Sequence, residues 1–264
     1  MAFEEMSMSG GAVTEKDVEI VENLGGSGEY SKALALAQEL LFCPLDDETK
    51  MKILFNVISC STRLELDDVT EAAFKELEKL PDPEMSRAVA NTFRAISYIY
   101  LGRPHEALNV INLTLGTECV AEEYPARCKY QLLAYQGRAL TMLSRWEEAL
   151  ISLTEAHRID PEGMRETDIL IDTSRCMQGL KQYEDSYNSA HHVLERESGD
   201  MAIMAMHYMA VCRTYQGRLL DALNLYGEIQ KRLPCTLIDT DQIRKEMLSC
   251  MDAIGISLPS HKPS

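Results

Sequence analysis

Aromatic residues are scarce in this chain, 6% of the total with a single tryptophan, although apolar residues together reach 45%. That balance argues against a β-sandwich rich in Val, Tyr and Phe and fits helices packed through Ala, Leu and Met. Basic residues are outnumbered 26 to 42 by acidic ones, giving a formal charge of −16. Residues 1–80 hold 17 acidic and 7 basic side chains, so they carry −10 of it. Such a chain repels phosphate backbones, and no Lys/Arg-rich run offers a local exception, so no nucleic-acid partner is expected. The acids read as a solvated helical surface, with a docking site for a basic partner as the alternative. No stretch approaches about 18 uncharged apolar residues, so no membrane span is expected. The N-terminus MAFEEMSMSGG has acidic residues and no apolar core, so it does not read as a signal peptide.

The eight cysteines (Cys43, Cys60, Cys119, Cys128, Cys176, Cys212, Cys235 and Cys250) form no C-x-x-C and no Cys/His set with zinc-ligand spacing. Most fall in apolar helical stretches, where a free thiol acts as a small hydrophobe, and they read as reduced core residues of a cytoplasmic protein. Asn112-Leu113-Thr114 matches a glycosylation acceptor, but on a cytosolic helix the match is idle. Phosphate-loop, nucleophile-elbow and helical zinc-protease motifs are absent. His191 and His192 with Glu195 suggest a metal only superficially, because adjacent helical residues point about 100° apart. No catalytic residue, metal or cofactor is therefore assigned, and the chain is read as a non-enzyme.

What is present is a repeated phrase. Arg-Trp-Glu-Glu-Ala at 145–149 has variants at 29–33, 103–107, 182–186 and 218–222. Each places a bulky or turn-forming residue three positions before a small one: Tyr30/Ala33, Pro104/Ala107, Trp146/Ala149, Tyr183/Ser186 and Leu219/Ala222. A fainter pair, Val69/Ala72, falls in the long gap, giving intervals of 39, 35, 42, 37 and 36 residues. That is the period of stacked helical hairpins, an all-α architecture. Thr14, with Asp17 three residues on, predicts the first helix start. Hairpins are placed near 14–46, 47–82, 84–119, 123–161, 167–199 and 201–234, with a capping helix at 239–255. Residues 1–13 and 256–264 read as loose, and 116–130 as an insertion that lengthens a helix or adds a loop. The second hairpin is the weak one, because the turn assigned to Asp67-Asp68 lacks glycine.

These residues resemble the tetratricopeptide repeat, a hairpin of about 34 residues with small residues at its 8th, 20th and 27th places and bulky ones between. From Tyr130 the chain supplies Leu133, Gly137, Leu140, Trp146, Ala149, Leu153, Ala156 and Pro161 at the family's places. From Ile203 come Met206, Ala210, Ala222, Tyr226 and Pro234, with departures at Arg213 and Ile229. From Ala88 come Ala95, Tyr98, Ala107 and Ile111, and from Thr167 come Leu170, Ser174, Met177, Tyr183 and Ser186. The first hairpin supplies Leu24, Tyr30 and Ala33. The resemblance implies a right-handed α-solenoid of about six hairpins whose first helices line a groove for a partner peptide or helix.

On that basis the partner-binding residues are Gln131, Tyr135, Arg138, Arg175, Gln178, Met204, His207 and Thr214. Arg138 and Arg175 in successive hairpins suit a carboxylate by forked hydrogen bonds, or else pair with Asp168 or Asp172. Met201, Met204, Met206 and Met209 read as core, with Met204 turned to the groove. The family's chaperone-binding clamp is missing: its places hold Thr92, Ile96, Tyr135, Asp168 and Asp172, so the chain is not a carboxylate-clamp co-chaperone of the heat-shock proteins. The implied function is a protein-interaction scaffold or adaptor, a subunit of a larger complex. A coat or trafficking subunit, or a regulator of an enzyme, is the alternative.

Overall fold

A computed structural model describes residues 13–80, 83–116, 126–160, 166–235 and 237–255, excluding the side chains of 83–86 and 126–128. The expectations for the N-terminus, most of the insertion, Pro161 and the tail lie outside the described residues. Among those described there are thirteen helices and no strand, and no helix is long and apolar enough to cross a membrane. Contacts divide the chain into two units, residues 1–132 and 133–264. The first contains α1 (Glu15–Gly26), α2 (Tyr30–Leu40), α3 (Asp47–Arg63), α4 (Asp67–Leu77), α5 (Pro83–Tyr100) and α6 (Pro104–Leu115). The second runs from the latter part of α7 (Ala126–Met142) through α8 (Trp146–Ile159), α9 (Glu166–Gly179), α10 (Tyr183–Arg196), α11 (Gly199–Tyr215) and α12 (Leu219–Arg232) to α13 (Thr240–Ala253).

All six hairpins turn in the same way. The first helix closes on one residue with positive φ: Gly28, Glu65, Gly102, Ser144, Lys181 or Gly217. The amide of the following residue donates back five residues, as in Arg145 N–H to Leu140 O at 2.9 Å and Gln182 N–H to Met177 O at 2.8 Å. The left-handed residue itself donates back three, as in Ser144 to Thr141 at 3.0 Å. This Schellman closure satisfies carbonyls that a helix end leaves open. The same following residue then starts the second helix, its carbonyl accepting from the small residue of the repeated phrase (Ala149 N–H to Arg145 O, 2.9 Å). Its side chain meets the acid three residues on in Arg103–Glu106, Arg145–Glu148 and Arg218–Asp221. These exposed pairs add little stability, and they account for the charged part of the phrase.

The second hairpin obeys the same rule in a different register. Glu65 takes the left-handed place without being glycine, so α4 starts at Asp67 and its fourth residue is Thr70. The pair is Asp67/Thr70 and not Val69/Ala72, which leaves Ala72 exposed. Second helices now begin at 30, 67, 104, 146, 183 and 219, at intervals of 37, 37, 42, 37 and 36 residues. Thr70 hydrogen-bonds Ser61 at 2.7 Å, joining the two helices of this hairpin.

In the first unit the apolar faces of α1 to α5 close into one cluster that includes Val21, Ala33, Ile53, Leu54, Ile58 and Leu77. Phe55 and Phe93 stack beside it with ring centroids 4.0 Å apart. Thr14 caps α1 as expected, its N–H and hydroxyl donating to Asp17 at 2.8 and 2.6 Å. Those two bonds hold the Asp17 carboxyl below its ordinary value. In the second unit a Cβ on Gly137 would stand 2.5 Å from Leu153 Cγ, so only glycine lets α7 and α8 meet this closely. Ser174 and Ser186 fill the corresponding places in the next hairpin with reciprocal hydrogen bonds at 2.8 to 3.0 Å. Trp146 lies against Gly179, where any Cβ would fall inside the indole. Tyr183 similarly stacks on Tyr215 of the following hairpin, 5.0 Å between centroids.

The first helices are joined by rungs. The residue three before a left-handed position meets the residue five before the next one: Thr62 with Ser97 at 3.0 Å, Thr141 with Cys176 at 3.0 Å, Gln178 with Cys212 at 3.3 Å and Thr214 with Cys250 at 3.3 Å. Cys60 holds the same place, 3.8 Å from where a Cβ on Gly25 would lie. Four cysteines that look scattered in the sequence thus occupy one repeat position. The last rung belongs to α13, which ends on left-handed Gly255 as the first helices end on theirs. With Ile243 and Cys250 buried against the last hairpin, α13 covers an apolar end as a cap should.

Two substitutions near one turn have opposite expected effects. Gly179→Val forces Trp146 out of its seat and lowers stability by about 2–3 kcal/mol. Lys181→Gly relieves the left-handed backbone and raises stability by about 1 kcal/mol. Urea denaturation of both variants checks the two signs.

Candidate functional site

The groove-side residues of the second unit come from α9, α11 and α13. Helical spacing of three or four turns Arg175 and Gln178 of α9 the same way, as it does Met204, His207, Tyr208 and Val211 of α11. They line a cleft of about 460 Å³. Its remaining wall is Leu237, Ile238 and Asp239 ahead of α13, with Gln242 and Glu246 one and two turns into it.

Polar groups inside the cleft are unevenly committed. Gln178 donates its amide to the Tyr208 carbonyl at 2.9 Å, tying α9 to α11. Glu246 is the centre of the other tie: His207 Nε2 lies 2.7 Å from its Oε2, the Tyr226 hydroxyl donates to the same oxygen at 3.2 Å, and Gln242 donates to Oε1 at 2.9 Å. Burial works against ionising Glu246, but those hydrogen bonds and the His207 charge outweigh it and hold its carboxyl below the ordinary value. Burial pushes the Tyr208 phenol upward, with Arg175 acting against it. Arg175 itself is exposed and makes no ion pair among the described residues.

No protein-family model and no curated protein sequence matches the chain. Solved structures do. A tetratricopeptide repeat protein from Parabacteroides merdae superposes with a TM-score of 0.57 at 13% identity, over 89% of this chain and 83% of that one. A signal transduction ATPase with numerous domains, carrying a tetratricopeptide repeat sensor, from Pyrococcus horikoshii gives 0.66 at 17% identity over 91% of this chain. The match spans 39% of that longer protein. The fold is the tetratricopeptide-repeat fold.

In this repeat register the eight sequence-assigned residues divide into groups. Arg175, Gln178, Met204 and His207 come together in the one cleft. Arg138 does not join them: it faces Asp168 at 3.8 Å and Asp172 at 3.9 Å around a space of about 10 Å³, too small for a side chain. Tyr135 lines that same space and is 3% exposed. Thr214 is occupied as a rung, donating to the Ala210 carbonyl at 2.9 Å and meeting Cys250. Gln131 belongs to the first unit and is half-buried. Met206 and Met209 are core residues, whereas Met204 reaches the cleft. His191 and His192 both lean on Glu195 at the surface, and no group of three metal-ligating side chains occurs among the described residues.

Sequence reasoning missed Tyr208 and the whole 237–246 wall. Tyr208 sits one residue from a groove position, and its ring swings in beside His207, 6.0 Å between centroids. The segment before α13 follows no repeat, so no periodic signal marks it. Only the carboxylate of Asp239, accepting from Asp241 N–H at 2.9 Å as the α13 cap, had a readable cue.

The Glu246 tie has a pH signature. A carboxyl held below its unfolded value contributes stability that is present above the unfolded value, near 4.5, and is lost as pH falls through the folded one. Glu246→Gln therefore lowers Tm at pH 7, and the gap from the parent protein narrows below about pH 4.5 and closes in stronger acid. Thermal melts of both proteins from pH 7 to pH 3 read the difference directly.

Proposed function

We propose that this chain is a non-catalytic scaffold or adaptor, a subunit of a larger cytoplasmic assembly, that holds an extended peptide or helix of a partner protein in the α9–α11–α13 cleft. The observation that carries the reading is the convergence of Arg175, Gln178, Met204 and His207 on one open cleft. The cleft combines an apolar floor, Met204 and Val211, with a cation, Arg175, that makes no ion pair among the described residues. Apolar contact supplies area to bury, and the polar rim fixes orientation, the usual division of labour at a binding surface. Ties through Gln178 and Glu246 hold the three helices in place before a ligand arrives, which lowers the entropy lost on binding.

The fold also favours this assignment over the outer helices. There the conspicuous residues, Trp146 and Tyr183, are used up in packing against Gly179 and Tyr215. Arg138 is set aside because reversing its charge would gather three acids and disturb the fold itself.

Arg175→Glu is expected to weaken retention of the partner by about tenfold or more with an unchanged circular dichroism spectrum. Arg232→Glu, on the exposed side of α12, serves as the control and leaves retention intact. Equal retention by both variants in a quantitative pull-down would place the contact elsewhere.

A further inference from the structure

The two long sides of the cleft differ in charge, and this gives the ligand a chemical description. On the α9 side stands the Arg175 guanidinium, which makes no ion pair among the described residues. Tyr208 of α11 lines the same cleft, feels the Arg175 charge, and its hydroxyl makes no hydrogen bond among them. On the α13 side are Asp239 and Glu246. Glu246 is committed on both oxygens, whereas Asp239 is exposed and uses one oxygen for its cap. Met204 and Val211 of α11 lie between the two sides. Among the described residues Arg175 and Asp239 form no ion pair with each other or with any other side chain.

Resting on the proposed function above, we infer that the cleft takes a segment of a partner protein in which an acidic, an apolar and a basic side chain stand at alternate positions. In an extended peptide, residues i, i+2 and i+4 face one way and span about 13 Å. The acid meets Arg175 and Tyr208, the apolar residue lies on Met204 and Val211, and the base meets Asp239. A carboxylate suits the α9 side better than a phosphate. Among the described residues Arg175 is the one unpaired guanidinium lining the cleft, and it balances a single charge. The arrangement selects as well as attracts: an all-acidic segment meets Asp239, and an all-basic one meets Arg175.

The test uses the full chain and fluorescein-labelled synthetic peptides of about nine residues in a Gly/Ser frame. Their cores are Asp-Ser-Leu-Ser-Lys, the same core with Ser at either charged place, and all-acidic and all-basic versions. Fluorescence polarisation is expected to show the mixed-charge core binding about tenfold more tightly than any other. Arg175→Glu should move the preference to the all-basic core, and Asp239→Lys to the all-acidic one. Affinities within about twofold across the set, or no exchange of preference in the variants, overturn the inference. If the set is flat while Arg175→Glu still loses its partner protein, the ligand chemistry is wrong and the cleft assignment stands. If neither responds, the assignment falls as well.

Discussion

One backbone event governs this molecule: a single residue in the left-handed region at the end of each first helix. It allows the two hydrogen bonds of the Schellman closure, and these leave one further residue before the next helix begins. With the turn so short, the second helix starts at a fixed rotation relative to the first. In the five hairpins that carry the repeated phrase, its bulky or turn-forming residue then lands as the first residue of the second helix, and the small one lands as the fourth. Close contacts such as Gly137 with Leu153 follow from that fixed geometry, since side chains interdigitate at crystal-like density only when backbones are placed this consistently.

The same constraint separates the positions that repeat from those that vary. Residues near the turn serve the packing within and between hairpins, so their identities are restricted to small, aromatic or turn-compatible types. Residues on the open side of the first helices are not confined to small or aromatic types, even where, as with Gln178 and His207, they also tie one helix to the next. Arg175, Gln178, Met204 and His207 are chemically unlike one another for this reason. The segment from Leu237 to Glu246 adds a wall that belongs to no hairpin, and through His207 and Tyr226 it is fastened to the last one.

Much of the fold was readable because the phrase recurs with its spacing intact in five places. It failed in the second hairpin, where the left-handed residue is Glu65 and neither the bulky nor the small position holds its usual type; Asp67 and Thr70 carry no pattern until the backbone is seen. Part of the cleft lining was readable for a related reason. Helical periodicity gives the direction of Arg175, Gln178, Met204 and His207, but it cannot give burial, and burial is what separates Tyr135 from Tyr208. Nor does periodicity weigh competing partners: Arg138 and Arg175 look equivalent in the sequence, and two aspartates on α9 make the difference between them.

The rungs between first helices bring a different property. Burial pushes the Cys176 thiol up to about 11, with Thr141 pulling the other way, and burial likewise raises Cys60 and Cys212. Thiols in that state are almost free of thiolate and shielded from reagents, so they are chemically silent while neighbouring hairpins stay stacked. Each becomes reactive only when its own junction parts. The repeat has thereby placed a set of internal clocks along the chain, each timing the local opening of a single junction and together giving a map of where the stack breathes.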